Sequence, residues 1–125
     1  MDTAAVVNLP PELQEGKKAI EAIRGAGIPV RSAYWAYFNE AQEYRLVVPT
    51  DRVQSVGLRS VYLAIQRAFS QKGIKIPLRQ ITLVRPDEPL GVLGLNAVRL
   101  AAPFGGGGSL VEAFNVKVDT RYIYA

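Results

Sequence analysis

Residues 28–49, IPVRSAYWAYFNEAQEYRLVVP, decide the fold. Positions 28–38 are rich in β-branched and aromatic residues, the strand pattern resumes over 44–48, and the polar interval Asn39 to Gln42 separates the two. Residues of these types suit the pleated, half-buried surface of a strand, and two such runs with a short polar gap read as a β-hairpin. Along the first run Val30, Ser32, Tyr34, Ala36 and Phe38 share one side, while Arg31, Ala33, Trp35 and Tyr37 share the other. Both sides carry large apolar groups, so the strand is expected inside a sheet covered on both faces.

Before the hairpin, Pro10 and Pro11 stand where proline is tolerated, at the first turn of a helix, after a leader over residues 1–9. Leu13, Ala19, Ile20 and Ile23 give this helix an apolar side, Glu12 and Glu15 suit its positive end, and Gly25 and Gly27 stop it. Gly16 weakens it by about 1 kcal/mol relative to alanine.

After the hairpin, Pro49 ends the second strand and Thr50 or Asp51 can cap the next helical segment. Val53, Val56, Val61, Ala64, Ile65, Ala68 and Phe69 mark that segment as the longest helix. Gly57 places its regular part from there onward, with a preliminary turn over residues 51–56, and Gly73 terminates it. A strand comes next over Arg79 to Arg85. Pro86-Asp87-Glu88-Pro89 then starts a helix, with Asp87 as cap and Leu90, Leu93, Ala97, Val98 and Leu100 as its apolar stripe. Pro103 closes it, residues 105–109 (GGGGS) read as a connector, and Leu110 to Tyr124 is extended. The expected order is α-β-β-α-β-α-β, a single α/β domain of the α+β kind with helices packed on a mixed sheet.

Length and composition agree with one domain: 125 residues, 49% hydrophobic and 21% charged, the balance of a globular chain. The chain has neither cysteine nor histidine. Disulfides, thiolate nucleophiles, cysteine-held metals, serine–histidine triads and histidine-zinc sites are thereby excluded within it. Met1-Asp2-Thr3 lacks a basic flank and an apolar run, and no apolar stretch approaches the 18–20 residues of a membrane span. A cytoplasmic protein without membrane contact is the expectation, and no cofactor is expected. Net charge is +4 with cations spread along the sequence, Lys17-Lys18 being the one adjacent pair.

The segments Ala33-Tyr34-Trp35-Ala36-Tyr37 and Glu43-Tyr44-Arg45-Leu46-Val47-Val48-Pro49 resemble a group of short bacterial hypothetical proteins, as do Gly57, Tyr62, Ile65, Ile81-Thr82-Leu83-Val84 and Tyr122-Ile123-Tyr124. The resemblance spans most of the chain and implies a shared fold. It brings no activity and no catalytic residues.

Carboxylates are the acid/base and metal candidates that remain: Glu40, Glu43, Asp51, Asp87, Glu88, Glu112 and Asp119. Their spacing matches no metal or catalytic pattern, and capping accounts for Asp51 and Asp87. Glu15-Gly16-Lys17 matches a fragment of a metal-dependent nuclease site but lies on a helix without the preceding strand aspartate. The run Gly105–Gly108 lacks the lysine of a phosphate loop.

Two surfaces remain as candidates. Val116, Val118, Tyr122, Ile123 and Tyr124 form a terminal strand able to pair with a sheet edge, which points to a non-enzymatic interaction module and a homodimer, or to a protein partner. Alternatively, Arg31, Trp35, Tyr37, Arg45 and Arg79 combine cations and aromatics as single-stranded nucleic-acid platforms do. A carboxylate enzyme holding a metal is the third class.

Overall fold

A computed structural model describes residues 15–101 and 110–124. The leader over 1–9, the Pro10-Pro11 helix start, Pro103 and the glycine run over 105–109 lie outside the described residues. Helix α1 spans Gly16–Gly25, and the hairpin comes after it as β1 (Ala33–Phe38) and β2 (Glu43–Pro49). Next are the short α2 (Arg52–Val56) and the long α3 (Leu58–Lys72), which part at Gly57 as expected. A 3-10 turn (Leu78–Gln80) leads into β3 (Ile81–Val84), then α4 (Pro89–Ala101), β4 (Leu110–Ala113) and β5 (Val116–Tyr124).

The five strands form one mixed sheet in the order β3-β2-β1-β5-β4, with β2 and β3 parallel and every other neighbouring pair antiparallel. The architecture is α+β, with helices on both faces. On one face Ala33 and Trp35 of β1, Leu46 and Val48 of β2, and Ile81 and Leu83 of β3 pack against Ile20 and Ile23 of α1 and Val61, Ile65 and Phe69 of α3. On the other, Tyr34, Ala36, Val47, Val84, Val116 and Val118 meet Leu90 and Leu93 of α4. The apolar character of both sides of β1 is thus used twice, once for each layer.

Glycines set how closely the layers approach. Gly16 opens α1 where a Cβ would collide with the Tyr124 hydroxyl and Trp35 Nε1. Gly94 does the same for α4, because a Cβ there would overlap the Ser32 carbonyl oxygen and the Tyr34 ring. The Tyr34 hydroxyl reaches past this contact to donate to the Leu90 carbonyl at 2.7 Å.

Three expectations are corrected. The alternation read from Val30 through Phe38 breaks at Ser32, whose φ of 47° ends the extended run, so β1 starts at Ala33 and Val30 packs with the Trp35 layer rather than beside Tyr34. Arg79 belongs to the 3-10 turn, and β3 is confined to Ile81–Val84. The C-terminal extended segment is two strands, turned at Phe114-Asn115 with φ of 52° and 62°, the paired left-handed residues of a tight hairpin.

Candidate functional site

Burial separates the aromatic and basic residues that the sequence groups together. Trp35 is 1% exposed, so its ring packs in the core and offers no face for a base to stack on. Tyr37 is half-buried and meets its cross-strand partner Tyr44 edge to face, ring centroids 5.3 Å apart. Arg45 lies on the opposite face, where its guanidinium stands over the Phe38 ring at 5.1 Å and donates to Glu43 at 2.7 Å. Arg31 is exposed beyond the carboxyl end of β2, with its amide donating to the Pro49 carbonyl, and Arg79 is exposed at the other end, ahead of β3. The five residues therefore form no common platform.

The first part of the terminal strand is not an edge, while Ile123 and Tyr124 pair with β1 on one side. Over Val116 to Val118, β5 is paired to β1 on one side and to β4 on the other. Val116 and Val118 are buried under α4, Ile123 packs with them, and Tyr122 and Tyr124 turn to the α1–α3 face after an irregularity in the ladder. Burial raises the Tyr124 phenol above its usual value, and the nearby Trp35 indole moderates that rise. Among the described residues the sheet ends at β3 and β4.

The carboxylates disperse in the same way. Glu40 is exposed at the hairpin turn, Glu43 pairs with Arg45, and Glu112 stands in register with Lys117. The carboxylate of Asp87 takes a bidentate contact from Arg85 at 3.0 Å, which holds it below the ordinary carboxylate range, while Glu88 accepts from the Arg85 amide. The side chain of Asp119 lies outside the described residues. Glu15 accepts from the Lys75 amide at 3.2 Å and so ties α1 to the loop after α3. No three acidic residues come together among the described residues.

Two surfaces emerge in place of these. From Arg52 to Pro86 the chain carries Arg52, Arg59, Arg67, Lys72, Lys75, Arg79 and Arg85 and no acidic residue at all, leaving eight cations and eleven acids to the rest. All seven are exposed. On α3, Arg59, Leu63 and Arg67 recur every fourth residue and so share the side turned away from Val61, Ile65 and Phe69. Ser60, Gln66, Ser70 and Gln71 are exposed on the same helix. A search for adjacent cations misses this surface, since the signal is the absence of acids between Asp51 and Asp87.

The second surface is a cleft of about 320 Å³ at the carboxyl ends of the parallel pair β2 and β3, lined by Pro29, Arg31, Pro49, Thr50, Asp51 and Pro86. Thr50 is 1% exposed, its amide donates to the Val84 carbonyl, and its hydroxyl accepts from the Arg52 amide at 3.2 Å. Of the two alternative caps, Thr50 takes the first amide of α2, and the Asp51 carboxylate makes no capping hydrogen bond. No protein-family model matches the chain, and no curated protein or solved structure comes out as similar to it.

Proposed function

We propose that the chain is a non-enzymatic interaction module that binds the phosphate backbone of nucleic acid through the solvent face of α3 and the 3-10 turn beyond it. The partition of charge carries this reading: the excess of cations falls wholly within residues 52–86, and the remainder of the chain is net acidic. The exposed Arg59 and Arg67 on one stripe of α3 put part of that charge where it can attract a polyanion before contact is made. Arg59, Arg67 and Arg79 suit the task because a guanidinium meets phosphate oxygens in a two-pronged geometry that an ammonium lacks. The serines and glutamines around them add neutral donors of the kind that fix a protein on the backbone without reading sequence.

The helix, rather than the sheet, is the element in this reading, because helices pack on the core of both sheet faces and bury Trp35. Fluorescence anisotropy of labelled single- and double-stranded oligonucleotides, titrated at rising salt, tests it. Binding at low salt that falls steeply as salt increases is the expected result. No binding at the lowest salt contradicts the reading, and so does binding to anionic lipid vesicles without binding to nucleic acid.

A further inference from the structure

We propose that the cleft beyond β2 and β3 is a binding site for a small zwitterion, an α-amino acid with an apolar side chain, whose carboxylate meets Arg31 and whose ammonium meets Asp51. The site is separate from the α3 face, and its ligand is of another class, so it stands or falls independently of the nucleic-acid reading.

Three observations converge on it. First, two opposite charges line one cleft, and neither the Arg31 guanidinium nor the Asp51 carboxylate holds a hydrogen bond or an ion pair among the described residues. The other acidic residues on either side of the sheet end are engaged: Asp87 and Glu88 both serve Arg85. Second, the structural role that would account for Asp51 is carried out by Thr50, whose hydroxyl takes the Arg52 amide. Third, the cleft lies outside the carboxyl ends of a parallel strand pair, the end at which parallel α/β sheets take their ligands.

The walls narrow the ligand further. Pro29, Pro49 and Pro86 belong to the lining and bring no amide donors, so apolar and stiff residues accompany the two charges. A simple anion would meet Arg31 but be repelled by Asp51, and a simple cation would meet the reverse; a molecule bearing both charges satisfies both. At about 320 Å³ the cleft is at the small end of ligand pockets and suits a single amino acid better than a nucleotide. Ser32, held at φ 47° between Arg31 and β1, fixes the direction in which the Arg31 segment leaves the sheet.

An NMR titration of the 15N-labelled chain tests this, with L-leucine as probe and with N-acetyl-L-leucine and L-leucine methyl ester as analogues that each lack one charge. The expected result is saturable shifts of the Arg31, Ser32, Thr50 and Asp51 amides with L-leucine, and affinity lower by about tenfold or more for each analogue. R31Q should lower L-leucine affinity while leaving the methyl ester unaffected, and D51N should do the same with respect to the N-acetyl analogue. Both side chains are exposed, and the unchanged remainder of each spectrum reports the fold. No saturable shift at these amides, or analogues that bind as tightly as L-leucine, overturns the proposal.

Discussion

Gly16 shows how a single position can read one way in sequence and the other way in packing. As a helix residue it is unfavourable, and replacing it with alanine would add about 1 kcal/mol of helix stability were the site open. The site is closed by Trp35 and Tyr124. Gly16→Ala is therefore expected to lower stability by about 1–3 kcal/mol, the cost of overpacking, as read from the urea midpoint; a more stable variant would contradict the contact. Tyr34 makes a second prediction. Burial raises its ionisation well above the ordinary value of 10.0, so the folded state favours the neutral phenol. Stability from this group is complete below about pH 10 and falls as pH rises beyond it, since the unfolded chain then releases a proton that the folded chain retains. Urea melts at rising alkaline pH should show that decline, and Tyr34→Phe should make it shallower.

Secondary-structure elements differ in how far they announce themselves. The hairpin was legible because both runs combine strand-forming residues with alternation, and α3 because Gly57 and Gly73 bracket its apolar stripe. The turn between β4 and β5 was not, because Phe114-Asn115 lacks the glycine that marks a two-residue hairpin, and β4 is only four residues long. The break at Ser32 was hidden for a related reason: a left-handed serine leaves no mark on a pattern of alternating side chains. The start of α2 lay between two candidates, Thr50 and Asp51, and geometry selects the first. Thr50→Val, which keeps shape and removes the acceptor, should cost about 1 kcal/mol, while Asp51→Asn should leave the thermal midpoint nearly unchanged. Equal losses from the two substitutions, measured by calorimetry, would return the capping role to Asp51.

Across the molecule, the two candidate surfaces depend on folding for their existence. Arg31 and Asp51 are twenty positions apart in sequence and share a cleft because the hairpin brings the start of β1 beside the end of β2. The cations of residues 52–86 are spaced too widely to form a run, and α3 brings two of them, Arg59 and Arg67, onto a single exposed stripe. Conversely, the arginines and aromatics that sit close in sequence are parted by the sheet, with Trp35 inside and Arg45 on the far face. Charge distribution, rather than any compact motif, is thus the feature on which the proposed function rests. The most direct test is the salt dependence of oligonucleotide binding by the native chain and by the double variant R59Q/R67Q. Log affinity is predicted to fall linearly with log salt for the native chain, and the double variant to bind more weakly with a slope shallower by about two, one for each lost phosphate contact. An unchanged slope in the variant, or no binding by the native chain at low salt, would contradict it.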